Sequence, residues 1–168
     1  MRPWRQRVTR ACMFWGLLVL VGGCGGALPS DESMIVEFSS RKPQLEVLLE
    51  RTLTSDRYNL LIDASHLRDG FEAKGISPQD RKGFLESLRA ARVVTIWNWR
   101  KYYEDKPIWF VTHEAGWPST FHAKGYAWFA GDRISEGRLS NSLDDWRRQD
   151  GKAYRSLGGH WYIFYTPE

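Results

Sequence analysis

Cysteine is nearly absent from this chain, which has only Cys12 and Cys24. Both lie near the start, so the remainder holds no internal disulfide and must rest on its core alone. A membrane-spanning run is missing as well. The apolar stretch Ala11 to Val21 is about half the ~20 residues that cross a bilayer as a helix. Acidic residues are absent from Met1 to Arg10, where Arg2, Arg5, Arg7 and Arg10 supply four of the 24 basic residues. From Ala11 onward 20 basic residues therefore face 20 acidic ones, and the electrostatic footprint of a nucleic-acid binder is missing. Catalytic signatures are missing too. There is no G-x-S-x-G elbow, no phosphate-cradling glycine loop and no calcium-loop spacing around Asp145 to Asp150. His113-Glu114 begins a zinc-protease motif, but Trp117 stands where its second histidine belongs.

The N-terminus reads as an address. A basic segment, Met1 to Arg10, precedes the apolar run, and Val21-Gly22-Gly23-Cys24 follows at once. That order is the plan of a secretory signal peptide. Val21, Gly22, Gly23 and Cys24 match the lipobox one for one, so the segment resembles that of bacterial lipoproteins. The resemblance implies cleavage before Cys24, diacylglycerol on its sulfur and an acyl chain such as palmitate on its amino group. An ordinary signal peptide with a chance cysteine is the alternative. The basic segment has no adjacent arginine pair, which favours the general secretion route. Residues 1–23 are then signal peptide, 24–33 a lipidated tether of small and polar residues, and 34–168 a single domain. Gly25 is not the aspartate that retains lipoproteins in the inner membrane. The expected location is the cell envelope, lipid-anchored, at the outer membrane if the cell is Gram-negative.

Aromatic residues are abundant, with nine tryptophans, seven of them between Trp97 and Trp161. Val93 to Trp99, Ile108 to His113 and Phe121 to Phe129 are rich in β-branched and aromatic residues, as strands are. Turn residues separate them, Glu104 to Pro107 and then Gly116 to Ser119, so a β-meander is expected. Met34 to Phe38 reads as a first strand. Pro43 reads as a helix start, because Leu45, Leu48, Leu49 and Leu53 recur at helical spacing. Tyr58 to Ile62 is ambiguous. Leu67 and Phe71 share a helical face that Gly75 would cap, and Ser77-Pro78 starts a further helix with Asp80 in its first turn. Such a helical hairpin invites a DNA-binding reading, which export excludes. Ser142 can cap a short helix with Asp144 and Asp145 in its first turn, and His160 to Tyr165 reads as a closing strand after Gly158-Gly159. The expected fold is α+β: a mainly antiparallel sheet of four to six strands with helices packed on one face.

The C-terminal third carries Lys124-Gly125-Tyr126, then Ser142-Leu143-Asp144, then Tyr154-Arg155 and Gly159-His160-Trp161-Tyr162. This pattern resembles the ends of a group of small uncharacterised bacterial proteins. The likeness covers about 45 residues and implies architecture, not activity.

Candidate site residues follow from these elements. Cys24 is the lipidation site. Trp117 sits in a predicted turn between Gly116 and Pro118, where a tryptophan faces solvent and can stack on a sugar ring. His113, His122 and His160 lie in or beside strands. Three histidines can hold zinc, yet their spacing specifies no site, and the sequence calls for no metal and no cofactor. Asp144 and Asp145 resemble a glycosidase pair, but helix capping explains them. The reading is a non-catalytic envelope lipoprotein binding an envelope protein or a glycan, through Trp117, His122 and His160. The alternative is a small cell-wall hydrolase with its site near His113, His122 and His160. A structural subunit of an envelope machine is a third. No nucleic-acid partner is expected.

Overall fold

The computed structural model describes residues 27–54, 60–63, 77–100, 103–116, 121–131, 133–145 and 151–167. Two helices, α1 (Asp31–Thr54) and α2 (Pro78–Ala91), accompany seven strands: β1 (Leu60–Asp63), β2 (Thr95–Asn98), β3 (Ile108–Ala115), β4 (His122–Trp128), β5 (Arg138–Leu139), β6 (Ala153–Gly158) and β7 (Trp161–Pro167). They form one sheet in the order β1-β2-β3-β4-β7-β6-β5. Every pairing is antiparallel except the two-residue contact of β5 with β6. The fold is α+β, with the meander β2-β3-β4 at its centre. β6 escaped the sequence reading because Arg155, Ser156 and Gly158 dilute its apolar pattern.

The first strand expected at Met34 to Phe38 is instead part of α1, and the helix expected from Pro43 begins twelve residues earlier, at Asp31. Ser30 caps it, its Oγ accepting from the Ser33 N–H at 3.2 Å. Asp31 and Glu32 meet the positive end of the helix dipole. Pro43 lies inside the helix, where a proline costs roughly 3 kcal/mol. Burial of Met34, Phe38, Leu45, Leu48 and Leu49 along one face outweighs that cost. Within residues 24–33, expected as a tether, Leu28 is buried and Asp31 to Ser33 are helical. The start of α2 agrees with its signals. Ser77 is the N-cap, its Oγ accepting from the Asp80 N–H at 3.1 Å, with Pro78 at the first helical position. The preceding helix expected around Leu67 and Phe71 lies outside the described residues. The helix expected after Ser142 is not formed where the chain is described: Asp144 and Asp145 make a turn.

The two faces of the sheet differ. On one, Ile96, Ile108, Phe110, Tyr126, Trp161, Ile163 and Tyr165 join a cluster with the buried residues of α1 and α2. The Phe38 ring of α1 packs on Tyr126 and Trp161 at 5.3 and 5.7 Å. Tyr126 donates its hydroxyl to Met34 O at 3.0 Å, and burial pushes its pKa up to about 12. On the other face, Trp109, Val111, Tyr154, Tyr162 and Phe164 form a second cluster around the small residues Ala123 and Ala127. Gly125 lies between those alanines on β4. A Cβ there would stand 2.2 Å from Phe110 O and 2.9 Å from Cε1 of Phe164, so the close approach requires glycine.

One polar knot ties α1 to the sheet. Lys124 of β4 and Asp31 of α1 are both fully buried, and Nζ stands 2.7 Å from Oδ1. That approach is a charge contact off the hydrogen-bond axis, since Oδ1 takes no directed hydrogen bond. Asp31 Oδ2 accepts from the Leu143 N–H at 2.7 Å and from Arg155 Nη1 at 3.1 Å. Lys124 donates to Pro29 O at 2.8 Å and to Asp144 Oδ1 at 3.4 Å. The Asp31 N–H closes the knot on the same Asp144 oxygen at 2.6 Å. Removing one partner of a buried pair strands the other charge, which typically costs about 3–5 kcal/mol. Lys124→Met keeps the aliphatic stem and removes only the charge. Urea melts should show a loss in that range; a loss below about 1 kcal/mol would mean that Arg155 alone satisfies Asp31.

Candidate functional site

The histidines do not converge on one site. His122 of β4 pairs with Pro167 at one end of β7, while His160 precedes Trp161 at the other. At 3.3 Å per residue those ends are about 20 Å apart. His122 Nδ1 lies 2.7 Å from the Tyr165 hydroxyl, with the two rings stacked at 5.8 Å. His113 is near that end of the sheet, opposite Lys124. Its ring nitrogen Nδ1 stands 2.9 Å from Thr112 Oγ1. Burial lowers its pKa below the usual histidine value, and the charge of Arg41 pushes it further the same way. His160 lies at the β6–β7 turn, its Nδ1 3.4 Å from Gly131 O and its ring 6.1 Å from Trp128. No group of three metal-binding side chains occurs among the described residues. Cys24 and Trp117 fall outside the described residues. Asp144 belongs to the knot around Asp31.

The feature that the sequence reading missed is a cleft of about 640 Å³ involving the aromatic face of the sheet. Its aromatic lining is Trp97, Trp99, Tyr103 and Trp109. Strand alternation places Trp97 on the same face as Trp109, directly opposite it across the β2–β3 pair. Their rings meet edge to face at 6.1 Å, and both rings lie 6.4 Å from Phe164. The small residues of β4 leave room for these large neighbours to lean over the sheet. The Trp109 indole is fixed further by its Nε1 hydrogen bond to the Tyr154 hydroxyl, at 3.1 Å. Trp99 and Tyr103 are different: they are 43% and 56% exposed. Two large aromatic side chains left open beside an ordered aromatic wall are surface that a ligand can cover.

A charged triad completes the lining. Glu136 binds Lys106 of the β2–β3 connection and, at 2.9 Å, Lys152 at the start of β6. Lys152 Nζ also sits 4.6 Å above the centre of the Trp109 ring, a cation–π distance. Burial opposes ionisation of Glu136, but the hydrogen bonds from Lys106 and Lys152 outweigh it and hold the carboxyl below its ordinary value. The same contact with Glu136 raises Lys106 above the ordinary lysine value. Each ammonium has three donors and the carboxylate several lone pairs, so the triad has capacity beyond its internal bonds for ligand hydroxyls.

Because the folded pKa of Glu136 is depressed, its contribution to stability is present above the unfolded value. It is lost as pH falls through the folded one. Acid titration should therefore loosen the cleft below about pH 4.5, the ordinary glutamate value. Tryptophan fluorescence followed from pH 7 to pH 3 checks this. Glu136→Gln should remove the part of the fluorescence change that tracks the triad, and an identical profile in the variant would show that the rim does not depend on the charge.

Neither a family model, nor a curated protein, nor a solved structure matches this chain. The cleft and the polar knot are what the chain itself offers for a functional argument.

Proposed function

We propose that this chain is a lipid-anchored envelope lipoprotein that binds a glycan, without catalysis, in the aromatic cleft. The cleft is the observation that carries the reading. Its volume of about 640 Å³ lies in the range of ~300–1,000 Å³ usual for small-ligand sites. A protein partner would ask for a broader patch of roughly 800 Å² per side. Sugar rings present a C–H face that stacks on indole and phenol rings, and hydroxyls around it that pair with carboxylate and ammonium groups. Trp99, Tyr103 and the Lys106–Glu136–Lys152 triad supply both kinds of contact.

Binding is favoured over hydrolysis by the chemistry of the lining. Glycoside hydrolysis takes a pair of carboxyl groups, one of them raised in pKa to act as acid. Among the described lining residues Glu136 is the one carboxylate, and its pKa is lowered. The rival hydrolase site would need His113, His122 and His160 together, and the length of β7 separates His160 from the other two.

Trp99→Ala and Tyr103→Ala test the site. Truncating an exposed aromatic anchor costs ~2 kcal/mol or more of binding, about a 30-fold loss. Each variant should melt like the parent while its retention on isolated peptidoglycan falls by that factor. Unchanged retention in both, with loss in Trp117→Ala, would move the site to the segment around Trp117, after β3. The anchor is tested separately. Cys24→Ser should abolish incorporation of labelled fatty acid and lipoprotein-type processing; a parent chain that takes up no label removes the envelope argument.

A further inference from the structure

The lipid anchor and the folded domain are too close together for the domain to hang freely. This inference rests on the lipoprotein reading above. Leu28 is buried in the helix-side core, and Pro29 O is bound by Lys124. Asp31 is fully buried. The chain is thus docked to its own domain from Leu28 onward. Only Gly25, Gly26 and Ala27 separate Leu28 from Cys24. Four residue steps extend at most ~14 Å at about 3.6 Å per residue.

We infer that the corner of the domain built from the start of α1 and the Ser140–Asp145 loop lies against the bilayer surface, held there by this short leash. The occupant of that surface is the lipid headgroup layer. The exposed groups at the corner suit water-filled headgroups and not the hydrocarbon: Glu32, Ser33, Ser142, Asp144 and Asp145 are all exposed. Their charge offers no attraction for an anionic membrane, so the leash supplies the contact. The aromatic cleft involves the sheet face opposite the one that Phe38 of α1 covers, and the fixed corner gives that cleft a set orientation to the membrane.

Loss of the signal peptide and acylation of Cys24 leave the mature chain with no free thiol, so single labels can be placed by substitution. Ser142→Cys lies next to Leu143, whose N–H binds Asp31. Glu50→Cys lies far along α1, about 28 Å from Asp31 at 1.5 Å per residue. The full lipidated chain, purified from membranes, is labelled with a fluorophore at each position. It is then placed in vesicles of phosphatidylethanolamine and phosphatidylglycerol (3:1) that carry a headgroup quencher. Quenching should be several-fold stronger at position 142 than at position 50. Inserting twelve Gly/Ser residues after Gly26 should bring the two positions together. Equal quenching in a chain that carries labelled acyl groups overturns the pinned corner and leaves the lipoprotein reading standing. A chain without acyl groups that fails to float with vesicles overturns both.

Discussion

The buried contact between Lys124 and Asp31 governs how the rest of the molecule is arranged. Two ions taken wholly out of water lose several kcal/mol each in hydration, and their mutual attraction repays this only with further partners. Here four further groups from three separate parts of the chain supply them: the Pro29 carbonyl, the adjacent Leu143 N–H and Asp144 carboxylate, and the Arg155 guanidinium. β4 is the central strand of seven, and side chains alternate between faces along it. A slip of one residue would turn Lys124 away from Asp31 and onto the aromatic side. The knot therefore specifies register as much as it stabilises.

Register, in turn, decides what the aromatic side of the sheet presents. With Lys124 and Tyr126 facing α1, the residues of β4 that face the other way are Ala123, Gly125 and Ala127. The aromatic side thus has small residues along its middle strand and large rings on both flanks. Trp109 and Phe164 meet over these small residues from β3 and β7, and Trp97 reaches them from β2. The polar knot on one face and the aromatic wall on the other are consequences of the same alternation.

Much of this was legible in the residues. The three meander strands, the Ser77-Pro78 helix start and the closing strand follow from local patterns, and the structure contains each. The start of α1 was misread for a physical reason. Met34-Ile35-Val36 has strand-like branching, and Pro43 imitates a helix start, whereas the true signal, Ser30-Asp31-Glu32, looks like tether. The segments Lys124-Gly125-Tyr126, Leu143-Asp144 and Arg155 stood out in the sequence without an explanation. All but Gly125, which admits Phe164 on the other face, contact the first two turns of α1, across sequence separations that no local pattern reveals. The cleft was hidden for the same reason. Trp97 and Trp109 are visible as strand residues, but their cross-strand pairing and the convergence of Lys106, Glu136 and Lys152 are tertiary facts.

Glu136 joins three connections at once: its own loop before β5, the turn that carries Lys106 and the entry to β6 that carries Lys152. With side chains that retain between 17% and 39% exposure, these bridges remain within reach of dissolved ions. Salt weakens such pairs, since the screening length shrinks to ~3 Å at 1 M. A loosened triad would cost the cleft its prearranged shape, and a guest would then have to supply the ordering itself. For the proposed glycan ligand, even a wholly uncharged one, affinity would consequently fall with ionic strength, an electrolyte effect transmitted by the walls and not by the guest.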